Sequence, residues 1–572
     1  MKNSKIWALL LALILLAGAV PVSGLAEGKD ISSLYKDRDV NADYDSKDVT
    51  AIDLSALTED LVITKKGDYL LSGSLSGQVR VEAGEEDKVR LILNGVTITA
   101  QNGPAIYEKL SDKLIVTLAE GSVNSLTAGA PITDEDDTIG AALYCEDDLS
   151  INGSGSLTAV SAQKHGIQSK ADLIVAGGSI SVQAEGDGIR GRNSVLILDG
   201  AIEISAQGDG IATTREDKDG KGWLLIAGGS ISITTGSGAG EVRASANSQM
   251  GRGGWGGWNQ QSRNETQSDV SQKGIKAAAS LEIQGGSFTM NCADDALHGV
   301  NVTVSGGDLA IKTGDDALHA DEKALISGGS IDISQCYEGI EGTDVVISGG
   351  SISVIASDDA VNAAGGGDQS GMMGAWGMRG GMSQSSGSLT ITGGSLMLNA
   401  SGDGLDSNGD IAISGGVIGL WAMTNGGEGT IDFNGAGSFT GGTLLVATTQ
   451  GRMMDSGAIS GQSIMSVSLN KNYAAGTKLS LLDADGQLLA AFTPQGSFNT
   501  LLISSDKLSD GDAFTIKGGG ETLYSGTMTN NYASSGNGMA GQFGGRGGQG
   551  FPGGQQGPWG GNPGGQKGGR GR

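Results

Sequence analysis

A short glycine-containing unit recurs along most of this chain at a nearly fixed spacing, with uninterrupted copies 21 or 22 residues apart. An alternating, strand-like stretch such as 351–354 follows each glycine corner, and a turn that reads polar, then Gly or Ala, then Ile, Leu or Val comes next. Such a strand cannot bury its apolar face alone, so the repeat predicts a solenoid of stacked coils. The corner glycines are Gly178, Gly200, Gly229, Gly286, Gly307, Gly329, Gly350, Gly394 and Gly416.

Three short strands and three turns fit within one unit of this length. Parallel strands joined by right-handed connections would make an all-β, right-handed parallel β-helix, with each coil rising ~4.8 Å along the axis. The composition suits such thin layers, because glycine supplies 101 of 572 residues and aromatic residues only 4%. A leucine-rich repeat has a similar period, but it needs a Leu-x-x-Leu-x-Leu pattern that this chain lacks.

The period and its interruptions predict the domain organisation. Lys2 and Lys5 precede an apolar run over 6–20 and small residues near 24–26, which is typical of a cleaved secretory signal peptide. We therefore expect a monomer without a membrane span that is secreted, extracellular or associated with the cell wall. The predicted segments are a signal peptide at 1–26, an N-terminal β cap region at 27–93, the β-helix at 94–450 with insert loops at 236–272 and 365–387, a C-terminal β cap or small β-sandwich at 451–530, and a glycine-rich, basic, disordered tail at 531–572.

The charge balance argues against two classes of partner. The chain holds 37 Lys and Arg against 64 Asp and Glu, a formal net charge of −27, so we expect neither nucleic acid nor an anionic membrane surface. Metal cations are the natural counterweight. Cys292 and Cys336 lie two coils apart, roughly 10 Å and beyond the reach of a disulfide, and with Cys145 they are predicted to be free, buried thiols.

One position of the polar turn recurs nine residues after the corner glycine and should form a ladder along one side of the helix. The residue before this turn position and the residue three after it recur at the same spacing. The ladder itself is predicted to contain His165, Asp187, Asp209, Lys273, Asp295, Asp316, Glu338, Asp359 and Asp403; the preceding position adds Asp294, Asp315 and Asp358, and the following one adds Lys276, His298, His319, Glu341, Asn362 and Asp406.

Between 294 and 359 this ladder is almost continuously acidic, and carboxylates one coil apart repel each other by ~3.5 kcal/mol at an effective dielectric constant of 20. Calcium suits such a row because it takes six to eight oxygen ligands with tolerant geometry. Turn chemistry alone explains single Asp-Gly pairs such as Asp187, Asp209 and Asp403, whereas doubled acids favour a metal. The predicted metal ligands are Asp294, Asp295, Asp315, Asp316, Glu338, Glu341, Asp358 and Asp359.

Histidine and tryptophan side chains beside this row are candidates for other roles. His298 and His319 indicate either a transition metal, hydrogen-bonded members of the ladder, or contacts with a carbohydrate. Trp255, Trp258 and Trp376 lie in the glycine-rich inserts, where they either stack on sugar rings or are mobile.

Several motifs of the chain resemble those of a bacterial family of secreted carbohydrate-binding domain-containing β-helix proteins. They are Asn-Gly-Val-Thr-Ile at 94–98, Ile-Asn-Gly-Ser-Gly-Ser-Leu at 151–157, Asp-Asp-Ala-Leu-His at 294–298, Tyr-Glu-Gly-Ile-Glu at 337–341 and Gly-Asp-Gly-Leu-Asp-Ser-Asn-Gly at 402–409. The resemblance extends from about residue 37 to residue 530 and implies a fold similar to that of calcium-dependent pectate lyases. It further implies calcium binding by the doubled acids and adherence to plant cell-wall polysaccharide, cellulose or polygalacturonic acid, without established catalysis.

Three functions are compatible with these patterns. The first is a noncatalytic adhesin in which calcium bridges the acidic ladder to uronate carboxylates. The second is a polysaccharide lyase acting by β-elimination, with Lys273 or Lys276 as the base that abstracts a proton. The third is a structural surface protein whose calcium has no contact with a glycan.

Overall fold

The structure is a computed structural model that describes residues 31–134, 137–216, 219–240, 270–364, 387–423, 429–449, 454–456 and 459–532. Within these residues, forty strands join one continuous sheet, and nearly all of its neighbouring strands pair in parallel. The sheet winds as a parallel β-helix, which confirms the predicted fold class. The helices are single turns at Ile31–Ser33, Asp37–Val40 and Leu54–Ala56.

The strands of this continuous sheet lie on three faces of the β-helix. We call these faces sheets 1 to 3 and number them from the polar turn. Sheet 1 follows this turn and contains Leu61–Ile63, Val79–Glu82, Ile106–Leu110, Leu143–Cys145, Ile167–Ser169, Ile189–Gly191, Ile211–Thr213, Ile275–Lys276, Val361–Ala363, Leu405–Ser407, Ile431–Phe433 and Met454–Ser456. Sheet 2 contains Thr50–Asp53, Lys113–Leu118, Asp148–Gly153, Asp172–Val175, Ser194–Ile197, Trp223–Ile226, Ser280–Ile283, Ser388–Ile391 and Ile459–Gly461. Sheet 3 follows the glycine corner and contains Val123–Thr127, Ser156–Ser161, Ser179–Ala184, Ala201–Ala206, Ser230–Thr235, Ser287–Cys292, Asp308–Thr313, Ser330–Cys336, Ser351–Ala356 and Ser395–Ala400.

Some longer strands bend from one sheet into the next. Sheets 1 and 2 share Leu297–Val304, Leu318–Ile326 and Ile340–Ile347. Sheets 2 and 3 share Gly67–Leu75, Lys88–Thr99, Asp410–Ala422 and Gly437–Thr448.

The interior of the helix is a set of aliphatic stacks, because parallel strands in register place equivalent side chains directly above one another. On sheet 3, Ile180 lies beside Ile202, which lies beside Ile231, and all three are almost fully buried. Alternate residues of these strands point outward, as in the exposed–buried alternation of Ala201–Ala206. Burial of each such side chain contributes about 1.5–3 kcal/mol, and no single coil could obtain it alone.

Parallel stacking begins earlier than the predicted boundary at residue 94, since Thr50–Asp53 already pairs in parallel with the strand Gly67–Leu75. The first coils lack the Gly-Gly-Ser signature. They turn instead on single glycines, Gly73 and Gly95, which have φ values of +83° and +78°. The corner geometry is therefore present, but the pair of glycines that reveals it in the sequence is not.

Antiparallel strands cover the C-terminal end of the helix. Phe498–Ser505 pairs antiparallel with both Gly437–Thr448 and Ile464–Tyr473. A separate four-stranded antiparallel sheet contains Leu479–Asp483, Leu488–Phe492, Ala513–Gly518 and Glu521–Thr527. These strands form a C-terminal β cap over the last coil, as the sequence predicted. A small hairpin of Ile132–Asp134 and Asp137–Ile139 also projects from the helix.

Three other expectations concern the cysteines, membrane-spanning helices and the segments outside the described residues. Cys145, Cys292 and Cys336 are free and buried, as predicted. Among the described residues, no helix has the length and apolar character needed to cross a membrane. The predicted signal peptide, most of both insert loops and nearly all of the glycine-rich tail lie outside the described residues.

The glycine corner gives a test of the stacking. Gly329 has a φ of +87°, and a Cβ added there would lie 2.9 Å from the carbonyl oxygen of Gly307 in the preceding coil. We expect Gly329→Ala to lower the free energy of unfolding by about 1–2 kcal/mol or more, because an L-residue is strained in this region and the carbonyl cannot move away. Chemical denaturation followed by circular dichroism measures the change.

Gly342 in the neighbouring strand is the matched control. Its added Cβ would meet nothing closer than 3.4 Å, so Gly342→Ala should be neutral or stabilising. Equal effects of the two substitutions would contradict the assignment of the corner as the constrained position.

Candidate functional site

The polar turns between sheets 3 and 1 stack in register and align one residue of each coil in a row, which we call the turn ladder. Backbone hydrogen bonds fix this register: the N–H of Gly188 donates to the carbonyl of Asp209, that of Gly274 to Asp295, and that of Ala317 to Glu338. The alignment matches the spacing of the sequence. The turn ladder contains His165, Asp187, Asp209, Lys273, Asp295, Asp316, Glu338, Asp359 and Asp403.

A second row, the strand ladder, lies three residues further on in sheet 1. Its members are successive Cα partners of parallel strands, so side chains of the two ladders face each other within each coil. The row changes from basic or neutral residues at its N-terminal end to acids at its C-terminal end. It contains Gln168, Arg190, Ala212, Lys276, His298, His319, Glu341, Asn362, Asp406 and Asp432.

Most aspartates of the turn ladder bind the backbone of the next coil. One oxygen of Asp187 accepts the N–H of Asp209 at 3.0 Å, and Asp209 accepts that of Lys273 at 2.8 Å. The same bond recurs from Asp316 to Asp295, Glu338 to Asp316 and Asp403 to Asp359. Each of these carboxylates thus joins two coils, and this structural role requires no metal.

The second oxygen of Asp295 forms the centre of an ion-pair cluster. It lies 2.5 Å from Nζ of Lys273 and 3.0 Å from Nδ1 of His298, and Lys273 also lies 3.5 Å from Asp294. Burial opposes ionisation of Asp295, but the Lys273 ammonium and the His298 hydrogen bond outweigh it and hold the pKa of Asp295 well below its usual range. Asp295 is therefore a stable, compensated carboxylate.

His319 is a second buried cation of the row. Its Nδ1 lies 2.6 Å from Glu341 and 3.2 Å from Asp316, and its Nε2 lies 3.6 Å from Asp321. Burial lowers the pKa of His319, but its hydrogen bond to Asp316 and the proximity of Asp321 and Glu341 raise it far above its usual value. The ring stacks on His298 with 5.0 Å between centroids. At neutral pH His319 is thus a hydrogen-bonded imidazolium, and with 1% exposure it lies beneath any glycan on this surface.

Further along the turn ladder, Glu338 and Asp359 lie in a more acidic environment. Burial, together with Asp316, Glu341 and Asp359, raises the pKa of Glu338 well above its usual value. Burial and the neighbouring acids, Asp403 first, likewise raise the pKa of Asp359. Among the described residues, no Lys or Arg nitrogen lies within 4.0 Å of Glu338 or Asp359, and Glu338 accepts one hydrogen bond from Asn362 at 2.9 Å. A bound proton or cation would therefore stabilise this stretch.

The eight predicted metal ligands fall into separate groups. Asp294, Asp295 and Asp315 bring carboxylate oxygens within 4.8 Å of one another. Asp316 and Glu341 converge instead on His319. Asp358 forms a hydrogen bond with the Tyr337 hydroxyl. Burial first, and then this hydrogen bond, raise the pKa of the Tyr337 phenol.

The structure also assembles an acidic group that the set of predicted metal ligands did not contain. Asp403, Asp406 and Asp432 place three carboxylate oxygens within 4.8 Å of one another. Asp432 follows an interruption of the period, and only the pairing of Asp406 with Asp432 in sheet 1 shows that it continues the strand ladder. We call this group the C-terminal triad.

The chemistry of these side chains fits calcium, which prefers carboxylate oxygens. Two groups offer oxygen alone: the one around Asp294, Asp295 and Asp315, and the C-terminal triad. Lys273 already lies within 3.5 Å of Asp294 and 2.5 Å of Asp295, and its charge would compete with a cation there. Both groups are therefore candidate calcium sites, and Lys273 weakens the first.

Lys276 and three tryptophans complete the set of predicted site residues. Lys276 donates to the hydroxyl of Ser271 at 3.2 Å and lies 3.9 Å from Asp209. Trp255, Trp258 and Trp376 lie outside the described residues.

Comparison with known proteins identifies part of the chain. A family model described as "Carbohydrate-binding domain-containing protein" matches residues 58–317. This segment therefore carries the predicted resemblance. A protein of Acetivibrio thermocellus with the same description is 37% identical over 132 residues, which are 22% of this chain and 46% of that protein. This chain thus spans about half the length of the curated relative it matches.

A solved structure was also found, described as a polysaccharide lyase-like protein from C. thermocellum, in a gadolinium derivative. It is 27% identical, and the match covers 49% of this chain and 96% of that one with a TM-score of 0.35. The family match includes the turn ladder from His165 to Asp316 and ends before Glu338 and the C-terminal triad.

The uncompensated acids predict an unusual pH dependence. A carboxyl whose pKa is higher in the folded than in the unfolded chain binds more protons when the chain is folded. Its contribution to the free energy of unfolding is therefore complete below its unfolded pKa of 4.5 and is lost as the pH rises through its folded pKa. We expect Glu338→Gln to raise the free energy of unfolding by about 1 kcal/mol or more at pH 8 in chelator, and to change it little at pH 4.

Chemical denaturation at the two pH values measures this difference. Glu203→Gln is the control, because Glu203 is exposed on sheet 3 and its replacement should change stability by less than ~0.5 kcal/mol. Destabilisation by Glu338→Gln at pH 8 in chelator would show that the charge of Glu338 is compensated after all.

Proposed function

We propose that this protein is a secreted, noncatalytic carbohydrate-binding protein that binds acidic polysaccharide with the help of calcium. The observation that carries the proposal is the pair of oxygen-only carboxylate groups along one edge of a β-helix whose residues 58–317 match a carbohydrate-binding domain family. Both groups include partly exposed carboxylates. They lie at opposite ends of the acidic stretch, so a polymer parallel to the helix axis can reach both.

The residues around the acidic stretch divide the work of binding. Calcium, when bound, would supply open coordination positions for uronate carboxylates. Asp406 and Asp432 project from adjacent strands of sheet 1, which holds their oxygens at a fixed separation before any ligand arrives. Asp403 is additionally fixed by accepting the N–H of Gly429 at 2.5 Å. Such preorganisation reduces the entropy that binding costs.

The geometry favours binding over lyase chemistry. A catalytic base must reach substrate and accept its proton, yet Lys273 is 5% exposed and its ammonium is held by Asp294 and Asp295. Lys276 is engaged with Ser271 and Asp209. Both candidate bases are thus part of the ion-pair network that stabilises the ladder.

Co-sedimentation with polygalacturonate tests the proposal. Wild-type protein should bind in calcium and be released by chelator, with no rise in the ultraviolet absorbance of unsaturated uronides. Asp406→Asn/Asp432→Asn should weaken calcium-dependent binding at least 10-fold, because it removes two charged oxygens from the C-terminal triad. Asp294→Asn/Asp315→Asn should have a smaller effect, since Lys273 already compensates that group.

A matched control removes two acids from elsewhere. Asp308 and Asp332 are exposed on the outer face of sheet 3, and Asp308→Asn/Asp332→Asn should leave binding unchanged. Absence of calcium-dependent sedimentation would refute the proposal. An absorbance rise abolished by Lys273→Ala would replace it with the lyase.

A further inference from the structure

A cleft with a predominantly basic lining lies at the N-terminal end of the turn ladder. Its volume is about 410 Å³, which is within the usual range for small-molecule sites. Strands of sheet 1 and the preceding turns supply its walls. We call it the basic cleft, and it is lined by Thr138, Tyr144, Lys164, His165, Gln168, Lys170, Arg190, Arg192 and Thr214.

Four cations in one cleft are an exception in a chain with a net charge of −27. Arg190 is partly compensated, because it lies 3.0 Å from the carboxylate of Asp187. Within the described residues, no carboxylate lies within 4.0 Å of the side-chain nitrogens of Lys164 or Arg192. The cleft therefore keeps an excess of positive charge and attracts an anion.

The donors in the cleft are arranged for an anionic oxygen. Nη1 of Arg190 donates to Nε2 of His165 at 3.1 Å and to the carboxylate of Asp187 at 3.0 Å. Nδ1 of His165 lies 3.3 Å from the same carboxylate, so the ring and the carboxylate together hold the guanidinium in place. Burial, then Arg190 and Lys164, lowers the pKa of His165 to about 3. An anionic oxygen would accept from the other N–H groups of this guanidinium.

We propose that the basic cleft is a calcium-independent subsite for the carboxylate of a uronic acid residue in an acidic glycan. Lys164 and Arg192 attract the carboxylate, and Arg190, which His165 and Asp187 hold in place, orients it. Gln168, Thr138 and Thr214 offer polar groups to the sugar hydroxyls, while the ring of Tyr144, whose hydroxyl donates to Glu146 at 2.9 Å, forms part of the wall.

This inference rests on the proposed function and adds a second point of contact to it. His165 and Asp403 are eight coils apart along the turn ladder, which corresponds to ~38 Å at one strand spacing per coil. A uronate polymer along the helix would thus contact cations directly at one end of the ladder and carboxylates through calcium at the other.

Titration calorimetry with trigalacturonate in chelator tests the cleft apart from calcium. The full mature chain should bind this trisaccharide, and Lys164→Gln/Arg192→Gln should weaken binding at least 10-fold. Fully methyl-esterified trigalacturonate should also bind at least 10-fold more weakly, because it has lost the carboxylates. Lys478→Gln/Lys517→Gln is the control, since both lysines are exposed on the C-terminal sheet, and it should bind as wild type does.

Nuclear magnetic resonance of His165 adds a readout that a folding defect cannot imitate. Trigalacturonate should shift the His165 ring signals of the wild type and raise the pKa of this ring, because a bound anion stabilises its charged form. An unchanged His165 signal at saturating trisaccharide would overturn the assignment. So would tighter binding of a sulfated trisaccharide of the same length, which would mark the cleft as a sulfate site.

The two proposals fail in different ways. If trigalacturonate does not bind in chelator while polygalacturonate still sediments with calcium, the basic cleft is refuted and the calcium-dependent function stands. If the trisaccharide binds at the cleft but calcium has no effect on the polymer, the calcium role alone is refuted. If neither ligand binds, both proposals fall.

Discussion

In-register stacking of coils is the constraint on which the rest of this structure depends. Each coil obtains its core only by placing apolar side chains against the equivalent side chains of its neighbours, as Ile202 does between Ile180 and Ile231. The same register repeats every outward position one strand spacing away. The register that stacks apolar side chains inside the helix therefore also brings like charges of successive coils together outside it. The turn ladder shows how the protein accommodates this repulsion.

The charged side chains along the turn ladder and the facing strand ladder lie in three different environments. Near the N-terminal end, carboxylates such as Asp187 and Asp209 are stabilised by backbone N–H groups of the next coil. In the middle, Lys273 and His319 insert positive charge between acids. Towards the C-terminal end, Glu338 and Asp359 are left with raised pKa values because neighbouring acids add to the cost of burial. The three carboxylates of the C-terminal triad follow at this end of the helix.

The sequence predicts the register of this row well, because the distance from the corner glycine to the polar turn is constant. The same regularity hides what interrupts it. Coils that turn on Gly73 and Gly95 lack the glycine pair, and Asp432 enters the strand ladder only after a break in the period. Spacing also cannot say whether the Lys273 ammonium faces solvent or Asp295, since that depends on side-chain conformation. The predicted uniform calcium row is thus divided by geometry into compensated and uncompensated parts.

The two ends of this surface carry charges of opposite sign. Its N-terminal end presents Lys164, Arg190 and Arg192, and its C-terminal end presents Asp403, Asp406 and Asp432. A uronate carboxylate is attracted to the first directly and to the second only through a cation. Two weak contacts on one rigid scaffold bind a long chain far better than a short one, because the second contact is made at high effective concentration. Polymers that span both ends should therefore be retained even where each sugar is held weakly, and calcium would then control retention without being required for the first encounter.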